Sequence, residues 1–391
     1  MTTAIGTCWP ALPYDAWKDT YATLHLWTQV VGKIALAQAP PLNHCWGVAL
    51  RVNARGLTTQ PLPHGDRTFT IQFDFTDHQL VVDASDGARR TLALRPRSVA
   101  DFYRELLETL AAMQLAVKIH PLSTELPRPI RLDRDTEHHS YDAGYANRFW
   151  RILVQVERVF AESQCAFVGK CSPVNFFWGS FDLAVTRFSG RRAPPRDGPA
   201  FEREAYSHEV ISHGFWPGSG PLLEPAFYAY AAPEPAGLKD APVRPEAAYY
   251  HREFSEFILP YEAVRQADAP DAMIHAFIRS TYESAADLAH WDRGALERQA
   301  GGVNAVPRQQ LAGQLSLCPR FCESRLSTDE GLVIPNSGSI KYRPPAGSYG
   351  DRFSRASLRA APRTPRPDDT PRGPAARPSR LLPRPAHCAA W

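Results

Sequence analysis

Two stretches hold residue types that could do chemistry. In "PVNFFWGSFDLAVTRFSGRR", residues 173–192, Asp182 stands between Phe181 and Leu183 in a run that is apolar on both faces of a strand. Such a strand is expected to be covered on both sides. A carboxylate held there must be paired or shift its pKa, and such groups gather at functional sites. Arg187, Arg191 and Arg192 are the nearest cations in sequence. Arg187 lies an odd number of residues from Asp182, so a regular strand sends the two to opposite faces, and pairing needs a bulge or a partner from elsewhere. The structural alternative for Asp182 is an ion pair that holds the strand end.

The second stretch, "YSHEVISHGFWPG", carries His208, Glu209 and His213. In H-E-x-x-H metal sites two His stand four apart on one helical face. Here the spacing is five, and Gly214 and Pro217 oppose a helix, so no metal is assigned. His208 with Glu209 in a loop beside a cleft would serve acid–base work or contact a ligand. An ordinary hydrogen-bonded loop His is the alternative.

Around these groups stand aromatics and amides that could line a site. Trp178, Trp216, Tyr228 and Tyr230 offer stacking surface, and Arg187 or Asp182 could orient a ligand. The pattern P-x-N-x-x-W-G occurs at Pro41, Asn43, Trp46, Gly47 and again at Pro173, Asn175, Trp178, Gly179. Asn43 and Asn175 either fix the chain entry by bonding the backbone or line a cleft. Trp46 and Trp178 by burial habit belong to the core. His138 and His139 read as solvated. No glycine-rich phosphate loop, G-x-S-x-G elbow or C-x-x-C pair is present, which removes the easiest routes to nucleotide, serine-hydrolase or thioredoxin-like chemistry. The 7 cysteines are odd in number and scattered, so they read as free thiols, with Cys318 and Cys322 only a weak zinc half-site. The residues identify no cofactor.

The elements that must position these residues form two units. A helix fits Tyr14 to about Ala37, with Trp17, Tyr21, Leu24, Trp27, Val31 and Ile34 on one face. Extended segments follow at "CWGVALRV", "RTFTIQFDF", "HQLVVD" and "RTLALRP", with Asp86-Gly87 as a hairpin turn, and Ser98 caps a helix to about Met113. His120 to Ser140, rich in Pro and charge, reads as a linker. A helix then fits Tyr141 to about Ser163, followed by the Asp182 strand, extended runs at "AFYAYAA" and "EFILPYEAV", and a helix from Pro270 to about Trp291 with Asp268 as N-cap. "VGK" at Val31–Lys33 and Val168–Lys170 reads as the end of each leading helix.

The repeated pattern and its flanks predict an internal duplication. The expected fold is α+β, two helix–antiparallel sheet–helix units packed as a pseudo-dimer with a cleft near the pseudo-twofold axis. Leu50 takes the place of Asp182 in the first copy, so any site would be asymmetric. The expected boundaries are 1–120, a linker at 121–140, 141–299, and a disordered Pro/Arg-rich tail at 300–391.

The chain has 391 residues, 44% of them hydrophobic, ample for such cores, and a formal charge of +3, too small to argue for nucleic acid. The first residues lack a signal-peptide pattern and no apolar run reaches a membrane span, so the expected compartment is the cytoplasm. The expected partner is a small molecule, with no specific nucleic acid and no membrane.

The phrases "NFFWGSFDLAVTRFSGRRAPP", "YSHEV", "GFWPG", "FYAYAAPEP" and "EFILPYEAVR" resemble a bacterial family, domain of unknown function 5996, over roughly residues 9 to 298. The resemblance implies a single module without an assigned activity, so it carries no catalytic residues across. The stretch from about Gly301 looks unlike that family. Three classes of function stay open. The first is binding of a small organic ligand in an aromatic cleft between the halves. The second is a hydrolase or lyase using Asp182, His208 and Glu209 as acid–base groups. The third is a scaffold that uses its tail.

Overall fold

The aromatic stripe near the start of the chain folds as the expected helix, α1 (Tyr14–Gln38), but neighbours cover it on nearly every side. Beside Trp17, Leu24 and Trp27 it buries Thr20, Thr23, His25, Thr28 and Gln29. A buried hydroxyl needs a partner, and here the backbone supplies it. Thr23 and Thr28 donate to the carbonyls of Asp19 and His25 at 3.0 and 2.7 Å. Thr20 and Thr23 also accept from the backbone N–H of Asp142 and Ser140 at 2.9 and 3.1 Å. Gly32 leaves bare backbone against which the Trp178 indole lies; a Cβ there would stand 2.1 Å from the ring. "VGK" therefore sits inside this helix, not at its end.

The first sheet comprises β1 (Arg51–Val52), β2 (Gly56–Thr58), β3 (Leu62–His64), β4 (Arg67–Asp74), β5 (Gln79–Ala84) and β6 (Arg89–Ala93). It runs antiparallel in the order β1-β2-β4-β5-β6, with β3 also paired to β4. The expected alternation holds: Phe69, Ile71 and Phe73 are buried, while Thr70 and Gln72 are half-buried. Ser98 caps α2 (Val99–Ala112) by accepting from the Asp101 N–H at 3.1 Å. Trp27 stacks on Phe102 of that helix with centroids 4.8 Å apart. "CWGVALRV" forms a strand only at its last two residues. Asn43–Cys45 instead make a short 3-10 turn in which His44 and Cys45 take positive φ.

The structure is a computed structural model that describes residues 8–123, 129–219 and 221–298, all within one compact unit. The expected tail, with Cys318, Cys322 and Cys388, lies outside them. The described part of the segment read as a linker is docked. Ala100 and Val99 donate backbone N–H groups to the carbonyls of Asp135 and His138 at 2.9 and 3.0 Å. His138 is half-buried, its Nδ1 2.8 Å from Asp135 Oδ2, rather than solvated.

Next come α3 (Ala143–Gln164), β7 (Asn175–Phe177), β8 (Asp182–Arg192), α4 (Ala200–Ala205), β9 (His208–Trp216) and β10 (Ala226–Ala232). Then β11 (Tyr249–His251), β12 (Glu256–Pro260), α5 (Tyr261–Gln266), α6 (Pro270–Leu288) and α7 (Arg293–Leu296) complete the described chain. The second "VGK" lies beyond α3. "EFILPYEAV" divides at Pro260, where strand gives way to helix because proline has no N–H for the ladder and its φ suits a helix start. Ala269, not Asp268, precedes α6, without a side-chain cap. The second sheet is antiparallel in the order β11-β12-β10-β9-β8-β7. Helices α3, α5 and α6 pack on one face. A smaller cluster with Phe177, Phe188, Tyr206, Trp216 and Ile258 covers the other.

The two copies of P-x-N-x-x-W-G meet each other. Leu50 and Phe176 exchange backbone hydrogen bonds, both 2.9 Å. Trp178 Nε1 donates to the Val48 carbonyl at 3.0 Å, and Arg51 Nη1 to that of Val174 at 2.8 Å. The copies differ locally, since Asn43 opens a 3-10 turn and Asn175 a strand. Mixed helices and antiparallel sheets make the class α+β.

Candidate functional site

The hairpin from β7 to β8 decides where Asp182 points. Phe177 and Asp182 are register partners, and Trp178–Phe181 form the loop between them. Phe181 donates its N–H to the Phe177 carbonyl at 2.7 Å and has φ 60°. That region is uncommon for a bulky residue, so packing must hold it there. The Phe181 ring stacks on Phe149 with centroids 5.2 Å apart, and meets Tyr21 and Phe176 edge-on at 5.1 Å each. With Phe181 anchored on the helix side, the pleat sends Asp182 to the opposite face.

On that face Asp182 is 2% exposed. It lines a cavity with Ser180, Trp216, Ala226, Tyr228, Phe254, Glu256 and Ile258. The cavity is narrow, with room for about one water-sized group. All these residues fall between positions 180 and 258, so the cavity lies within the second unit and not between the units as expected. Gly214 shapes it. A Cβ there would stand 2.1 Å from the Tyr228 ring, so only glycine lets that ring cross β9 toward Asp182.

Ser180 Oγ donates to Asp182 Oδ1, and Tyr228 OH to Oδ2. Burial pushes the Asp182 carboxyl up to about 6 against these two hydrogen bonds, which favour the ionised form. Burial, then the nearby Asp182 charge, holds Glu256 well above the usual carboxylate range. Glu256 is 5% exposed, and its carboxyl has neither a hydrogen bond nor a salt bridge among the described residues. The sequence reading missed Glu256. Its signal was present: like Asp182, it is a carboxylate opening an otherwise apolar strand, "EFILP".

The structure brings together only some of the residues singled out in the sequence. Asp182, Trp216 and Tyr228 line the cavity. Tyr230 stacks on Tyr228, centroids 6.1 Å apart, and its hydroxyl lies 3.3 Å from that of Tyr206. Trp178 is buried against Gly32 and does not line it. Asn175 is fully buried on the same face, register partner of Ala184, and its carboxamide has no hydrogen-bond partner. Asn43 is exposed on its turn.

Arg187 lies on the other face of β8, as the odd spacing requires, so it does not pair with Asp182. Its Nη2 donates to the Ser163 carbonyl at 2.8 Å, and its guanidinium lies 4.6 Å from the Tyr282 ring centroid. His208 and Glu209 stand at the far end of the sheet. His208 pairs with Arg192, which closes β8, while Asp182 opens it, so the separation is roughly 30 Å of strand. His208 Nδ1 is 3.0 Å from Ser207 Oγ. Burial, with Lys170 and Arg192 nearby, lowers the His208 pKa. Glu209 accepts from Ser189 Oγ and from Arg191 at 2.7–3.0 Å. His213 points to the opposite face of β9 from His208. Burial and then Arg187 press its pKa down to about 3, and its Nε2 lies 3.0 Å from Thr281 Oγ1. Among the described residues no cluster of three His, Cys, Asp or Glu could hold a metal, and Cys8, Cys45, Cys165 and Cys171 are free thiols.

No helix among the described residues is long and apolar enough to cross a membrane. No curated protein and no solved structure matches the chain. A family model described as a family of unknown function, DUF5996, matches residues 9–298, and the chain belongs to that family.

Proposed function

We propose that the protein binds a small organic ligand at the Asp182–Glu256 cavity. The observation that carries this reading is Glu256, a 5%-exposed acid without a hydrogen bond or salt bridge among the described residues, lining a cavity walled by Trp216, Tyr228 and Phe254. The fold alone has no need of such a group, because burying an acid without a partner is unfavourable and an apolar residue would pack there at no such cost. In this reading Asp182, Trp216 and Tyr228 touch the ligand, and Tyr230 backs the Tyr228 ring. Trp178 holds the hairpin, and Asn175 leaves an unused carboxamide on the same face. Arg187 and Asn43 act elsewhere. Mass spectrometry of small molecules released from natively purified protein tests it. A molecule released in stoichiometric amount from the wild type, and lost in Glu256→Gln at unchanged melting temperature, supports the site. Retention by both Glu256→Gln and Asp182→Asn overturns it.

A second reading has its own support. Two carboxyls with displaced pKa values beside one cavity are a usual arrangement for acid–base catalysis, so a hydrolase or lyase would use Asp182 and Glu256. His208 and Glu209 would then lie outside the chemistry. A third inference concerns ancestry: units 1–120 and 141–299 derive from a duplication packed as a pseudo-dimer in a cytoplasmic protein. Its support is that in each unit a helix leads into six antiparallel strands followed by helix, with α4 interrupting the second set.

A further inference from the structure

Resting on the reading of the cavity as a ligand site, we propose that it takes the ammonium head of a small organic cation, set between the Asp182 and Glu256 carboxyls and the rings of Trp216, Tyr228 and Phe254. Among the described residues no lysine, arginine or histidine lines the cavity. Asp182 accepts from the neutral hydroxyls of Ser180 and Tyr228, and from no cation among the described residues. The titratable groups facing the pair are phenols and one imidazole. Tyr21 comes from α1, Tyr228 and Tyr230 from β10, and Tyr250 from β11. His251, which closes β11, stacks on Phe254 with centroids 4.1 Å apart and lies behind the cavity wall. Among the described residues no lysine or arginine stands in this shell. The site therefore lacks one positive charge that a ligand can bring.

The walls suit the same ligand. An ammonium gains from aromatic rings as well as from carboxylates, and most when it is desolvated. The narrow space has room for a primary ammonium head before a bulky quaternary one. An anion would meet two acids in a dry pocket, where like charges are most costly. A neutral alcohol of equal length would fill the volume without supplying the charge.

The proposal has a signature that packing alone does not produce. A cation binds the ionised carboxyls, so binding must expel the protons these acids hold at rest. Affinity then rises with pH, about tenfold per pH unit for each proton expelled, and so most steeply below about pH 6, where both acids are protonated. The test is isothermal titration of the full chain with n-butylammonium, n-butanol and butyrate. Phosphate and HEPES buffers, which differ in ionisation enthalpy, report proton release. The expected result is binding of n-butylammonium alone, with net proton release, and a loss of about tenfold or more in Glu256→Gln. Glu256→Gln keeps the side-chain shape, and Asp182→Asn serves as a second variant should it fold poorly. Equal binding of n-butanol, or binding of butyrate, overturns the cation while leaving the cavity a ligand site. Binding of n-butylammonium without proton release, or unchanged in both variants, also overturns it. Failure of all three probes, with nothing retained on native purification, overturns the cavity reading as well.

Discussion

Each sheet buries one aspartate at a strand end, and the two are held in opposite ways. Asp74, closing β4, is 4% exposed and fully compensated. Its Oδ1 accepts the N–H groups of Thr76 and Asp77 at 2.9 and 3.0 Å, and its Oδ2 accepts from Arg55. Burial alone would raise its pKa, but these partners outweigh it and the net shift is downward. Asp182, opening β8, is buried as deeply and accepts from two hydroxyls but no cation among the described residues, so burial wins and its shift is upward. Burial therefore does not mark a site. Burial without a charged partner does, and among the described strand residues Asp182 and Glu256 show it, in the sheet covered on both faces.

The largest expected effects separate the two glycines that let an aromatic ring cross backbone. Gly32→Ala drives a Cβ into the Trp178 indole, which ties the β7–β8 hairpin to α1. Overpacking there should cost more than about 3 kcal/mol, read as a collapse of melting temperature in thermal unfolding. Gly214→Ala displaces Tyr228 by a similar clash. That change should cost less stability, because Tyr228 lies beside a cavity into which it can move, but it should abolish ligand retention. Equal stability loss in both variants would show the cavity face to be as rigid as the core.

The aspartates give the next effect, through opposite pH dependences. The folded-state pKa of Asp182 lies above its unfolded value of 3.8, at about 6. Its contribution to stability is thus fully present below pH 3.8 and lost as pH rises through 6. The shift corresponds to about 3 kcal/mol at pH 8. Asp182→Asn should recover up to that amount in urea unfolding near pH 8 and little near pH 4. Asp74 is the reverse. Its folded pKa is depressed, so its stabilisation is present above 3.8 and disappears as pH falls through the folded value. Asp74→Asn should lose roughly 2 kcal/mol near pH 7 by the same assay, because Arg55 and two N–H groups lose an ionised acceptor. A gain for Asp74→Asn or a loss for Asp182→Asn would remove the contrast.

What the sequence disclosed follows from how local each signal is. The stripe in α1, the alternation in β4, the Ser98 cap and the burial of Asp182 are set by periods and neighbours within a few residues. The parity argument also placed Arg187 on the far face from Asp182. The cavity was not legible, because its second carboxyl comes from a strand 74 residues further along, and only the β9–β10–β12 pairing carries Glu256 to Asp182. His208 and Glu209 looked like its partners because they carry suitable groups near it in sequence. Antiparallel pairing instead puts the start of β9 beside the end of β8. Asn43 was misplaced for another reason. The first P-x-N-x-x-W-G copy curls into a turn with two positive φ values, which the second copy gives no hint of.

The smallest expected effect tests the end of the sheet where the early acid–base candidates lie. Glu209 holds Arg191, whose guanidinium is half in solvent and also donates to the carbonyls of Ala289 and His290 at the end of α6, at 2.6 and 3.0 Å. Removing the Glu209 charge leaves those carbonyl bonds intact, and a cation at a helix C-terminus remains favourable. Glu209→Gln should therefore cost under about 1 kcal/mol, as exposed pairs do. His208→Gln should be as mild, since its ring is half-buried and bonded only to Ser207. Both variants should retain the wild-type complement of bound ligand, measured by the same release experiment that Glu256→Gln is expected to fail. Loss of ligand in Glu209→Gln or His208→Gln at unchanged melting temperature would move the site to the far end of β8. The unpartnered carboxyl of Glu256 would then be a structural acid kept neutral by its burial.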